Sequence, residues 1–397
     1  MSDAAARAEQ IARASYGKLV AILAARDRDI ARAEDALATA FAKALASWPR
    51  DGVPDRPEAW LITTARHAAT DSWRRDARHD PLDEVPEMQT ETPHPIPDDR
   101  LRLMFVCAHP ALDRGVHTAM MLQTVLGVTS ERMARAFQLR PSTLSQRLVR
   151  AKTKIKQAGI AFELPEADAL PARLGAVLEA VYGAYAIDWM VPDSAGDLTR
   201  EALFLSDLTA QLCPDEPEAL GLAALIAFLA ARHEARLAGG MLVPLHAQDT
   251  DLWDHDMITH AAHVLTRASR LGQPGRFQLE ASIQAVHAAR AQTGRTDWRA
   301  LSQLYAGLLH VAPSLGAEVA RAAVVAEDAG ADQGLALLDL IAPECIARFQ
   351  PYWATRAHIL RQLDHPDAPE AYAKAISLCT EPPLRRWLEA ERDALIH

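Results

Sequence analysis

TSERMARAFQLRPSTLSQRLVRAKTKIK, residues Thr129 to Lys156, decides how the rest of this chain is read. Met133, Ala134 and Phe137 fall at i, i+1 and i+4, the spacing of a short amphipathic helix that Ser130 is placed to cap. Leu139-Arg140-Pro141 breaks it, and Pro141 suits the first turn of a second helix because its missing N–H is not needed there. In that second helix Leu144, Leu148, Ala151 and Ile155 recur every three or four residues. Thr143, Gln146, Arg147, Arg150, Lys152 and Lys154 then fall on other faces. Two short helices joined by a tight turn make a helix-turn-helix. From Arg132 to Lys156 there are eight Lys and Arg and no Asp or Glu, the charge pattern of a surface that meets phosphates.

Outward from this stretch, the chain divides by charge. The net charge is −10, yet residues 1–160 hold 24 Lys and Arg against 20 Asp and Glu, leaving 18 against 32 for the remainder. Hydrophobic residues make up 49% and aromatics only 6%. Ala and Leu dominate, and both lose little on entering a helix, so an all-α protein is expected. A length of 397 residues suits about two to four domains. Cys107, Cys213, Cys345 and Cys379 are far apart with no CxxC, which predicts neither a zinc site nor a disulfide framework and fits a reducing cytoplasm. No signal peptide and no membrane span is legible, so a cytoplasmic location without membrane contact is expected.

Toward the N-terminus two helices are predicted at residues 9–25 and 29–48, the second with a stripe of Ala33, Leu37, Phe41 and Leu45 and an end at Trp48-Pro49. A third runs from Pro57 to about Ala77. Between His79 and Asp99 lie five prolines and seven carboxylates without a Lys or Arg, a composition that reads as an extended linker. Beyond Pro165, helical patterns cover Leu170–Tyr185, Leu198–Leu212, Glu216–Glu234, Ala281–Gln292, Trp298–Val311 and Gly316–Ala329. Near the end, Tyr352, Ile359, Ala368, Tyr372 and Ala375 approach the spacing of a tetratricopeptide repeat, a helical hairpin of about 34 residues. The expected division is therefore 1–79, a linker at 80–97, 98–160 with the helix-turn-helix, and a helical array at 161–397.

The N-terminal words narrow the class. Ala33-Glu34-Asp35-Ala36-Leu37-Ala38-Thr39-Ala40-Phe41, Trp48, Pro57-Glu58-Ala59-Trp60-Leu61-Ile62-Thr63-Thr64-Ala65-Arg66-His67-Ala68-Ala69-Thr70-Asp71 and Arg74-Arg75 resemble region 2 of extracytoplasmic-function sigma factors. Leu139 to Ala151 resembles region 4, agreeing with its I-S-x-G-T-V-x-S-R-L-x-R-A pattern at Thr143, Arg147, Leu148, Arg150 and Ala151 and departing at Arg140 and Pro141. Ala38 and Thr39 replace the usual Gln and acid. Asp98–Asp113, Leu271–Arg290 and Thr293–Trp298 resemble the group of these factors with a C-terminal tetratricopeptide-like extension.

The resemblance implies partners and residues. Core RNA polymerase would be met at its β′ clamp by Glu34, Asp35, Leu37 and Phe41, and at its β flap. The −10 element of promoter DNA would be engaged by Asp51, Arg56, Trp60, Arg66, His67, Arg74 and Arg75, which supply pockets, stacking surface and phosphate contacts for unstacked bases. The −35 element would be read by Arg140, Ser142, Thr143, Ser145, Gln146 and Arg147 at base edges and by Arg150, Lys152 and Lys154 at phosphates. The acidic C-terminal part would regulate, through an intramolecular contact or a protein partner.

Competing signals are weaker. Trp60 on an amphipathic helix is more often core than a melting wedge. His260 and His263 share a helix face without a Cys or a convincing carboxylate set, and Asp249 to Asp256 lack a calcium loop's glycine, so no metal is expected. No nucleotide or hydrolase motif occurs, and the expectation is a binding protein with no catalytic residues and no cofactor. The alternative is a helix-turn-helix regulator that acts on duplex DNA without polymerase, its array sensing a ligand or partner.

Overall fold

The computed structural model describes residues 3–76, 99–137, 139–162, 165, 169–189 and 197–395. The expected linker at 80–97 lies outside the described residues. These are overwhelmingly helical, as the Ala- and Leu-rich composition requires, with one two-stranded exception. Packing divides the chain into two compact units, Met1–Leu205 and Ser206–His397.

The first unit begins with α1 (Asp3–Asp27), α2 (Ile30–Asp51) and α3 (Pro57–Asp76). Asp29 caps α2, its side chain accepting from the Arg32 amide at 3.1 Å. The buried face of α2 runs Ala33, Leu37, Ala40, Ala44 and Trp48, spacings of three and four that follow 3.6 residues per turn. The expected strict four-residue stripe drifts off that face, which leaves Phe41 half-buried and Leu45 52% exposed. α2 also continues past Pro49 to Asp51. The proline sits in the exposed last turn, and the helix stops at Gly52, whose φ of 87° ends it while its N–H bonds the Trp48 carbonyl.

Next come α4 (Asp99–Cys107), α5 (Arg114–Thr124), α6 (Ser130–Ala136), α7 (Pro141–Gln157), α8 (Leu170–Trp189) and α9 (Asp197–Leu212). α4 is buried from Leu101 to Cys107 and packs on α1. At Gly17, α1 passes so close to the end of α5 that an added Cβ would lie 1.6 Å from the Val125 carbonyl oxygen. α1 thus joins the three N-terminal helices to the helix-turn-helix in one body. The unit does not end at residue 160, where the sequence places a boundary, because α8 packs on α4 and α5.

In the second unit α10 (Pro217–Ala230) is buried almost all round, the mark of a central helix. The expected continuation to Glu234 fails because the Ala231 carbonyl is taken by the Asp254 amide at 2.8 Å. A hairpin of β1 (Leu237–Ala238) and β2 (Met241–Leu242) follows, turned by Gly239 and Gly240, both at positive φ. The array continues with α11 (His255–Arg270), α12 (Arg276–Ala288), α13 (Arg290–Thr293), α14 (Trp298–Val311), α15 (Leu315–Ala329), α16 (Ala331–Asp339), α17 (Pro343–Ile346), α18 (Gln350–Gln362), α19 (Ala368–Leu378) and α20 (Pro382–Asp393). Glu218 of α10 caps α12 by accepting from the Phe277 and Gln278 amides at 2.9 and 3.0 Å. α18 and α19 form a helical hairpin whose core includes Ala357, Leu360, Ala368, Tyr372 and Ala375, while Tyr352 and Ile359 of α18 pack against α15 and α16 with Val319, Ala322 and Leu338. α20 returns to β2, where Arg386 donates to the Gly240 carbonyl at 2.9 Å. No helix among the described residues is long and apolar enough to cross a membrane.

Candidate nucleic-acid interface

α7 is a helix of two faces. Leu144, Leu148, Ala151 and Ile155 are buried, and α6 supports them through buried Met133 and Ala134. Pro141 opens the helix and Arg140 provides no side-chain cap. The cap of α6 is Thr129, whose Oγ1 accepts from the Arg132 amide at 3.3 Å. Ser130, expected there, is instead buried and accepts from Gln123 at 3.5 Å. On the outer face Arg140, Ser142, Gln146, Arg147, Arg150 and Lys154 are exposed and Thr143 and Ser145 half-buried. This arrangement offers polar side chains early on the helix and cations later, as the sequence predicts.

Lys152 departs from that pattern. Its side chain is only 10% exposed, and its ammonium donates to both Glu34 oxygens at 2.7 and 2.6 Å and to Gln123 Oε1 at 2.9 Å. Here it faces α2 rather than an open phosphate surface, because one turn beyond Leu148 the helix rotates it inward. Lys156 pairs with Asp29 at 3.0 Å but stays 62% exposed, so that pair contributes little. α2, α3 and α7 enclose a cleft of about 840 Å³ lined by Asp29, Glu34, Asp35, Lys43, Asp71, Lys152 and Lys156, with Val149 at its edge. Charges of both signs line it. Burial, then the nearby Glu34 and Asp35 charges, push the Tyr16 hydroxyl well above its usual range.

The four residues expected at the polymerase clamp separate by burial. Asp35 is exposed, Glu34 and Phe41 are half-buried, and Leu37 is fully buried. Leu37 is therefore a core residue of the α2 face, not a surface contact. Of the −10 set, Asp51 and Arg56 are exposed in and beside the α2–α3 loop and His67 is exposed on α3. Trp60 is half-buried, its ring edge-on to that of buried Trp48 at 5.5 Å and 64°, so it holds the loop while leaving part of its surface free. Arg66 is half-buried with its Nε sequestered. Arg74 and Arg75 lie in the last turns of α3, and their side chains fall outside the described residues.

Two polar groups of this unit were missed in sequence. Gln123 joins Lys152 to α5, and Asp188, 3% exposed, holds Arg132 of α6 at 3.3 Å. Both pair with residues far away along the chain, and no local pattern announces them.

Residues 11–79 match Sigma-70 region 2. Residues 173–269 match a family of unknown function (DUF6596). The chain also shares a family with uncharacterized protein R00370 of Rhizobium meliloti (strain 1021), to which it is 34% identical over 385 residues, covering 93% of this chain and 91% of the relative. No solved structure matches it.

Proposed function

We propose that the chain is a sigma factor of the extracytoplasmic-function type that directs promoter-specific initiation through two DNA contacts and is regulated by its own C-terminal helical array. Glu34, Asp35 and Phe41 on α2 meet the polymerase clamp. The α2–α3 loop and α3 engage the −10 element through Asp51, Arg56, Trp60, Arg66, His67, Arg74 and Arg75. α7 reads the −35 element with Arg140, Ser142, Thr143, Ser145, Gln146 and Arg147, and holds phosphates with Arg150 and Lys154. The array from α10 onward is tetratricopeptide-like in its stacked hairpins and takes the regulatory role.

The observation that carries this reading is the joint presence, in one compact unit, of a sigma-70 region 2 and a helix-turn-helix with an exposed polar and cationic face. A regulator that binds duplex alone needs the second but not the first. Core-polymerase pulldown together with promoter-dependent run-off transcription tests it. Failure of both, with duplex binding intact, refutes the sigma reading in favour of the polymerase-independent regulator.

A further inference from the structure

We infer that α8 and the start of α9 (residues 170–189 and 197–205), which lie partly inside the match to the family of unknown function, complete the −35-reading domain, and that Asp188 is a positioning residue of the helix-turn-helix. The inference rests on the reading of α7 given above and assigns part of an unassigned segment a role in it.

The packing comes first. α8 lies on α5 and α4 with Leu174, Val177, Leu178, Val181, Ala184 and Tyr185 buried. At Gly183 it approaches α5, where a Cβ would meet Leu122 and Thr118 at 3.9 Å. α9 adds a second attachment: Arg100 of α4 pairs with Glu201 at 2.5 Å and lies 4.5 Å from the Phe204 ring centroid. α5 in turn packs on α7. Without α8, α5 would carry an uncovered apolar face directly behind the reading helix.

Asp188 shows how this support reaches the motif. It stands one residue from the end of α8, where the helix dipole disfavours a negative charge. Its oxygens are used elsewhere. Oδ2 accepts from the Thr199 amide at 3.1 Å and the Thr199 hydroxyl at 2.8 Å in the first turn of α9. Oδ1 accepts from Arg132 Nη2 at 3.3 Å. The anion thus caps one helix and holds another; its own side chain is 3% exposed, while the Arg132 end of the second tie is 38% exposed. α6 has seven residues, too few to hold a helix by itself, so its orientation depends on such tertiary ties. α6 packs on α7, and the angle between them sets which side chains reach a groove.

The test uses the full chain with Asp188→Asn, Asp188→Ala and, as a control with the same loss of charge on an exposed part of α8, Glu179→Gln. Hydrogen exchange at the α6 amides reads the positioning; affinity for a −35 duplex reads its consequence. Asp188→Asn is expected to raise α6 exchange and weaken duplex binding by roughly tenfold, within the range for losing a charged, buried hydrogen bond. Glu179→Gln is expected to change neither. Arg132→Gln added to Asp188→Asn should cost no further α6 protection, since both remove the same tie. Unchanged α6 exchange and duplex affinity in Asp188→Asn overturn the inference. So does an equal effect of Glu179→Gln. If Asp188→Ala does not fold, Asp188→Asn, which preserves shape, carries the decision. A wild-type chain that protects α6 but binds no promoter duplex refutes the reading of α7 instead, and the exchange data then decide the positioning role by themselves.

Discussion

Replacing Glu34 with Gln should strengthen the binding of −35 duplex by a helix that Glu34 does not belong to. Lys152 donates to both Glu34 oxygens, at 2.7 and 2.6 Å, and the two side chains are 10% and 19% exposed. A hydrogen bond to a charged partner contributes about 1.5–3 kcal/mol, so this pair opposes any phosphate that competes for the ammonium by up to that amount. Gln at position 34 keeps an acceptor but loses the charge, and Gln123 still holds Lys152 at 2.9 Å. About half of the bridge is therefore released, close to the 1.4 kcal/mol that equals a tenfold change in affinity. A second signature is independent of the first. One additional phosphate contact steepens the dependence of log K on log salt by about 0.9. The assay is titration of the full chain with a −35 duplex across a salt series. Asp27→Asn, at a part-buried carboxylate of α1 that pairs with Arg26, controls for the general effect of removing a negative charge. If Glu34→Gln and Asp27→Asn give the same affinity and the same salt slope, Lys152 is not restrained by α2 and the reasoning fails.

Three further outcomes are expected. Gly17→Ala would drive a Cβ to 1.6 Å from the Val125 carbonyl oxygen, and because backbone must move to relieve it, thermal unfolding of the first unit should show a loss of about 3 kcal/mol or more; an unchanged melting temperature would contradict the close approach of α1 and α5. A chain ended after residue 160 loses the burial of Leu174, Val177, Leu178, Val181 and Tyr185, at about 1.5 kcal/mol or more each, and should bind hydrophobic dyes and unfold earlier than one ended after residue 212; equal stability would refute the packing role of α8. His287 is held neutral by burial, then by nearby Arg232 and Arg290, with its pKa pushed down to about 4. The unfolded chain protonates first, near 6.5, so the stability of the second unit is fully present above that value and falls by up to about 1.4 kcal/mol per pH unit on acidification toward 4. His287→Gln should flatten the slope of denaturant midpoint against pH over that window, and parallel slopes would show that His287 does not cause it.

Periodic features of this chain were legible because burial repeats with the helix. Leu144, Leu148, Ala151 and Ile155 are buried as their spacing predicts, and α14 occupies the predicted residues Trp298 to Val311. Errors arose where a local rule met a distant partner. α10 stops early because Asp254 claims a carbonyl, and Thr129 replaces Ser130 as cap because Ser130 is drawn to Gln123. The hairpin at Leu237–Leu242 has strands of two residues, too short for alternation to register. The helix face of His260 and His263 belongs to α11, and Asp254 before it is its cap, accepting from the Met257 amide at 2.9 Å.

The candidate site follows the same division, with a consequence for how it works. Residue types on α7 are readable from one helix because burial and exposure follow its own period. Availability is not, since Lys152 and Glu34 are 118 residues apart and Arg132 and Asp188 are 56 apart. The first pair withdraws a cation from the surface of α7 and the second fixes the helix that supports it. Glu34 is also one of the acids proposed to face the polymerase clamp, so on that reading it has two competing partners. A clamp that takes the carboxylate leaves Lys152 without its strongest acceptor, and core binding would then increase the cationic surface of α7 with no contact between polymerase and that helix. The coupling has a direction: in Glu34→Gln, addition of core should raise −35 affinity less than it does in the wild-type chain.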